Sequence, residues 1–146
     1  MKNETALIIG GSKGIAFDVA KKLAARGINL ILVARNQDAL AQAKVNIKTN
    51  SDVMIETISL DLYDRDAINQ FIVAIKEEPR HLKYLLNAAG YFNPISFLEH
   101  SLDDYKAYMD INEAFFFITQ AIAKNMKHYG SGSIVNIDVA MSTSPK

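Results

Sequence analysis

Three glycines, Gly10, Gly11 and Gly14, crowd one turn of a 146-residue chain that has seven glycines in all. The turn follows a short apolar run, residues 6–9, and precedes a stretch of helical periodicity. Without β-carbons, backbone amides can approach an anion closely, and a helix N-terminus adds partial positive charge; together these suit a pyrophosphate. The spacing differs from the commonest dinucleotide pattern of glycines at first, third and sixth positions. It is not a P-loop, since no Gly-Lys-Ser/Thr follows. A second chemical signal lies 21 residues after Gly14, where Arg35 ends the next apolar run. A dinucleotide fold places the adenosine ribose there, and an acidic residue would bond a free 2′-hydroxyl. A guanidinium instead presents a planar fork of donors to a 2′-phosphate, and Lys13 within the turn can reach the same group. These residues predict NADP(H) in preference to NAD(H). The plainer alternative is a structural turn flanked by two solvated cations.

Other chemistries find little support. The chain has no cysteine, which excludes disulfides, thiolate nucleophiles and cysteine-ligated zinc, and gives no tie to an oxidising compartment. His81, His100 and His128 are too far apart in sequence to make a ligand-spaced pair, so no metal site is expected. Sixteen basic and sixteen acidic side chains leave zero formal charge, and neither nucleic acid nor an acidic membrane is expected as a partner. The apolar run at residues 6–9 is too short for a signal-peptide core, and no stretch approaches membrane-spanning length. The expected location is the cytoplasm.

Elements must hold these residues in place. Residues 6–9 and 30–34 read as buried strands, and between them Ile15, Val19 and Leu23, with Ala16, Ala20 and Ala24, share a helical face that Gly27 closes. Residues 36–47 predict a helix with Asn36 as N-cap, and residues 53–60 a strand that stops at Asp61. Residues 64–78 place Ile68, Phe71, Ile72 and Ile75 on one helical face before Pro79, and residues 84–86 form a strand running into Asn87. Ser101 and Asp104 make a capping box that opens a helix to about residue 128, whose apolar residues cover more than one stripe. Gly130 and Gly132 form a turn into a last strand, residues 133–139. Strands alternating with helices predict one α/β domain over residues 1–146, with a parallel sheet and right-handed crossovers.

The run Ile9-Gly10-Gly11-Ser12-Lys13-Gly14-Ile15-Ala16 resembles the Thr-Gly-x-x-x-Gly-Ile-Gly nucleotide turn of the short-chain dehydrogenase/reductase family. Asn87-Ala88-Ala89-Gly90 is similar to the family's Asn-Asn-Ala-Gly segment, Asp61-Leu62 to its adenine-contacting pair, and residues 132–137 to the strand leading to its catalytic serine. The resemblance covers nearly the whole chain in the family's order. It implies a Rossmann-like, doubly wound parallel sheet of about five strands, ordered 3-2-1-4-5, without the family's C-terminal strands and helices. It also implies cofactor contacts from Gly10, Ser12, Lys13, Gly14, Ile15, Arg35, Asp61, Leu62, Asn87, Ala88 and Gly90. Asn112 falls at the position of the family's active-site asparagine; its other reading is a buried polar group bonded to helix backbone.

The departures bear on activity. Ile9 replaces the threonine of the turn and Ala16 its last glycine. Aligning Asn136 and Ile137 puts Asp138 and Val139 where the family has serines, and Val139 cannot orient a carbonyl by hydrogen bonding. No tyrosine of the chain is followed four residues later by lysine, so the family's Tyr-x-x-x-Lys is missing. Ser142, Thr143, Ser144, Tyr91 and Tyr105 are poor substitutes, because no lysine sits at helical spacing to lower a tyrosine's pKa. The resemblance therefore predicts the lineage of an NADP(H)-dependent oxidoreductase that exchanges hydride between nicotinamide and a carbonyl or alcohol, inactive as it stands. The alternative is a non-enzymatic dinucleotide-binding or interaction module. A methyltransferase-like domain fits less well, since it would want an acid at Arg35. A homo-oligomer is expected, formed through the two-sided helix, through the edge of the last strand, or through both.

Overall fold

The computed structural model describes residues 4–88 and 95–137. In chain order the elements are β1 (Glu4–Ile9), α1 (Gly14–Ala25), β2 (Asn29–Ala34), α2 (Gln37–Lys48), β3 (Ile55–Ser59), α3 (Arg65–Lys76), β4 (His81–Asn87), a single 3₁₀ turn (Phe97–Glu99), α4 (Leu102–Tyr129) and β5 (Ser133–Asn136). The five strands form one sheet in the order β3-β2-β1-β4-β5, and every pairing is parallel. This is the expected Rossmann-like arrangement.

Period-two alternation divides the apolar strand residues between two layers. Ala6 and Ile8 of β1 face α1 and α2, packing with Ala16, Ala20, Leu40 and Ile47. Leu7 and Ile9 face α3 and α4, packing with Phe71, Ile75, Ile118 and Ile122. Because both faces are covered, β1 and β2 read as continuous apolar runs rather than alternating ones.

The helix ends follow local chemistry. Asn36 Oδ1 accepts from the Ala39 amide at 3.0 Å and Asp64 Oδ1 from the Ala67 amide at 3.1 Å. Ser101 and Asp104 form the expected reciprocal capping box. At the end of α1 the Gly27 amide donates to the Ala24 carbonyl and the Ile28 amide to that of Leu23, which together make a Schellman motif.

Two elements differ from the periodicity. β4 begins at His81 rather than at residue 84, because Asn125 of α4 reaches it: Asn125 Oδ1 accepts from the Leu82 amide and its Nδ2 donates to the Arg80 carbonyl, both at 2.8 Å. β5 is described as Ser133–Asn136, so the expected strand positions Asp138 and Val139 lie outside the described residues. It forms one edge of the sheet, and Val135 is 52% exposed.

Candidate functional site

In a parallel sheet, ligands bind beyond the carboxyl ends of the strands, where loops diverge. The turn after β1 lies at that end and is tied to its neighbours on both sides. The Gly10 amide donates to the Val33 carbonyl of β2 at 2.7 Å, and the Ala88 amide after β4 donates to the Ile9 carbonyl at 2.9 Å. Gly10 has φ 87° and Gly14 φ 59°, both in the left-handed region that L side chains rarely adopt. Gly11 is tight for a different reason: a β-carbon there would lie 3.1 Å from Leu32 Cδ2 and 3.2 Å from the Ile8 carbonyl oxygen. Ala16, the family's last glycine, is buried against the sheet with Ala20 and Ala24, so its extra methyl is accommodated. On the same helix Ile15 points to solvent, 64% exposed, outside the alanine face.

The four described α-helices differ in how their N-termini are closed. Those of α2, α3 and α4 are capped by Asn36, Asp64 and Ser101, and each has an acid in its first turn. The α1 N-terminus has neither: Lys13 stands at the N-cap without a side-chain hydrogen bond, and its first turn lacks an acid. Its free amides and the positive end of its dipole are thus open to an external anion.

A cavity of about 280 Å³ opens beside this turn, lined by Gly10, Val33, Arg35, Asp61, Leu62 and Ile111 among others. It gathers into one hollow four of the residues expected from sequence: Gly10, Arg35, Asp61 and Leu62. Arg35 is exposed, and its backbone carbonyl accepts from Ser59 Oγ at 2.8 Å, which fixes the end of β2 against β3. Asp61 is exposed, and its Oδ1 accepts from the Tyr63 amide at 2.9 Å. Sequence reasoning missed Tyr63 and Ile111 as lining residues. Ile111 is separated from the glycine turn by about a hundred residues of sequence and comes to it only through packing of α4.

Ser12, Lys13, Gly14 and Ile15 lie on the α1 side of the turn and do not line this cavity. Asn87, at the end of β4, is 2% exposed and donates from Nδ2 to Asn136 Oδ1 at 2.8 Å and to Thr119 Oγ1 at 3.1 Å. Asn112 stands on α4 with its Nδ2 donating to the Tyr108 carbonyl at 2.9 Å. The helix-backbone bond is as expected, but the side chain is exposed rather than buried, because it falls between the buried positions Ile111 and Ala114. Gly90, Tyr91, Asp138, Val139, Ser142, Thr143 and Ser144 lie outside the described residues. A larger hollow, about 360 Å³, runs between α3 and α4 and shares Leu62 and Tyr63 with the first. Among the described residues no group of three or more His, Asp or Glu could hold a metal ion, and no helix is long and apolar enough to cross a membrane.

The chain matches the short chain dehydrogenase family over residues 4–145. It is 34% identical over 133 residues to the gluconate 5-dehydrogenase of Gluconobacter oxydans, covering 90% of this chain and 52% of that one. It is 32% identical over 144 residues to the 3α-hydroxysteroid dehydrogenase of Mediterraneibacter gnavus, covering 97% and 58%. Among solved structures, a short-chain dehydrogenase from Sphingobium yanoikuyae in complex with NADPH superposes with a TM-score of 0.83 at 28% identity, covering 91% of this chain and 52% of that one. The chain thus spans about half the length of the curated relatives it matches. A glycine turn at the carboxyl end of β1, the 3-2-1-4-5 sheet and a family match over nearly the whole length lead to one conclusion: the chain belongs to the short-chain dehydrogenase family.

Proposed function

We propose that the chain is the nucleotide-binding portion of a short-chain dehydrogenase and takes NADP(H) in preference to NAD(H). The observation that carries this reading is the bare N-terminus of α1, uncapped and without a first-turn acid, above two glycines in the left-handed region. Gly10, its amide bonded to the Val33 carbonyl, would set the turn, and the amides from Ser12 through Lys13 and Gly14 to Ile15 would hold the diphosphate. Arg35, with Lys13, would face the 2′-phosphate, and no carboxylate ends β2 to compete for a 2′-hydroxyl. Asp61 and Leu62 would take the adenine, while Asn87, Ala88 and Gly90 would support the nicotinamide side. The NADPH complex of the Sphingobium relative supports a dinucleotide of this kind.

When bound, the nicotinamide supplies hydride exchange with a carbonyl or alcohol; the residues of this chain bind and orient. Since the sequence has valine at the aligned serine position and no Tyr-x-x-x-Lys, nothing in it supplies the proton that such an exchange requires. We therefore read these 146 residues as competent to bind and not to turn over, one nucleotide-binding domain in a cysteine-free chain suited to the cytoplasm. The second reading is a dinucleotide-binding or interaction module without chemistry. Self-association through α4 belongs to either reading, supported by its exposed Leu102, Tyr105, Tyr108, Met109, Phe116 and Phe117.

Calorimetric titration with NADPH and NADH tests the reading. Tighter binding of NADPH is the expected result. Equal affinity, or tighter NADH, would overturn the assignment of Arg35.

A further inference from the structure

The cavity beside the glycine turn has an apolar floor of Val33, Leu60, Leu62 and Ile111, and among its described lining residues Tyr63 alone is aromatic. Tyr63 is 43% exposed, unusual for a large ring beside so much apolar surface. Its backbone is fixed from two directions. The Tyr63 amide donates to Asp61 Oδ1 at 2.9 Å, and the Asp64 amide donates to the Asp61 carbonyl at 3.0 Å, closing a turn. Asp64 then caps α3 through its side chain, so the residue after Tyr63 is anchored to a helix. The ring is therefore carried on a fixed backbone turn among the residues that line the cavity, with Asp61 two positions before it.

We propose that Tyr63 forms the outer wall of the adenine subsite and stacks its ring on the base. This inference rests on the dinucleotide reading and adds a residue to it. The chemistry favours a purine. A planar π-system would meet an aromatic ring and aliphatic residues in one cavity, and the Asp61 carboxylate of that cavity would accept from an exocyclic amine. One oxygen of Asp61 already accepts from the Tyr63 amide; the same hydrogen bond that places the ring thus orients the carboxylate. Arg35 lines the same hollow, so the base and the ribose phosphate would share one site.

The experiment compares the wild-type chain with Tyr63→Phe, Tyr63→Leu and Tyr63→Ala, using three probes: NADPH, adenosine 2′,5′-bisphosphate, and reduced nicotinamide mononucleotide, which lacks the adenylate. Tyr63→Phe is expected to bind all three as wild type does, because stacking needs the ring and not the hydroxyl. Tyr63→Ala should weaken NADPH and adenosine 2′,5′-bisphosphate by about tenfold, with Tyr63→Leu in between and the mononucleotide unchanged. A thermal melt of each variant separates loss of fold from loss of contact, and Tyr63→Phe serves as the rescue. Unchanged affinity of a folded Tyr63→Ala for adenosine 2′,5′-bisphosphate overturns the role of Tyr63 and leaves the dinucleotide reading standing. Failure of the wild-type chain to bind NADPH or adenosine 2′,5′-bisphosphate overturns both.

Discussion

Asn87 Nδ2 donates to Asn136 Oδ1 at 2.8 Å, so the last residues of β4 and β5 are joined through their side chains as well as their backbones. The same nitrogen reaches Thr119 of α4, which ties the strand ends to the helix that covers them. Asn87 is almost wholly buried, and a buried amide is retained only where its bonds offset the cost of leaving water. Its Oδ1 has no hydrogen-bond partner among the described residues. Replacing Asn87 with leucine should therefore lower stability by about 1 to 3 kcal/mol, since Thr119 and Asn136 lose their partner. Urea unfolding measures it; a change below about 0.5 kcal/mol would show that the strand ends do not depend on this amide.

Arg35→Ala should weaken NADPH and leave NADH nearly unchanged. A charge-assisted contact to phosphate is worth about 1.5 to 3 kcal/mol, and the exposure of this guanidinium reduces it to roughly 1 kcal/mol, about a fivefold loss. Titrating both cofactors against the variant checks the difference. Equal losses for both would mean that Arg35 acts through the fold of the β2 end and not through a 2′-phosphate.

A pH dependence is built into the opposite end of the sheet. Arg80 Nε donates to Glu78 Oε1 at 2.7 Å, and its Nη2 reaches Glu56 Oε2 at 2.8 Å. The Arg80 guanidinium holds the Glu78 carboxyl below its ordinary value near 4.5, against the upward push of burial. A carboxyl lowered in the folded state stabilises above its unfolded pKa, and that stability is lost as pH falls through the folded pKa. Glu78→Gln should therefore be less stable than wild type at pH 7, with the gap narrowing as pH drops below about 4.5. Melting temperatures from pH 7 to pH 3 give the test; a gap that stays constant would remove Glu78 from the acid response.

The 146 residues should show no substrate-dependent NADPH consumption against a broad panel of ketones and aldehydes. General acid/base catalysis alone contributes about a hundredfold to ten-thousandfold, and these residues contain no Tyr-x-x-x-Lys and have valine at position 139. A rate well above that of a Gly14→Asp control would contradict the proposal and direct attention to Ser142, Ser144 and Tyr91.

Much of this fold was legible because its signals are local. The apolar runs of β1 and β2, the Asn36 and Asp64 caps and the Ser101–Asp104 box each depend on residues within a few positions of one another. The start of β4 was not legible: His81 and Lys83 read as polar, and the strand is held there by Asn125 and by Lys83 paired with Glu4 at 2.9 Å. The candidate site divides in the same way. Gly10 and Arg35 announce themselves by type and position, whereas Ile111 joins the cavity through packing of α4 that no local pattern encodes. The exposure of Asn112 was likewise set by the rotation of α4, which turns Ile111 and Ala114 inward.

If the bare N-terminus of α1 receives a diphosphate, Gly14 is the position at which a charge should be felt most strongly. A β-carbon at Gly14 would meet nothing within 4 Å, so a small side chain enters open space and the cost is confined to the φ of +59°. Asparagine and aspartate both tolerate that conformation and differ in charge. Calorimetric titration of NADPH into Gly14→Asn and Gly14→Asp therefore isolates electrostatics at the turn. Gly14→Asn should bind measurably, and Gly14→Asp should lose at least about tenfold more, from a carboxylate set against the phosphates. Equal affinity of the two variants would contradict a diphosphate at this N-terminus.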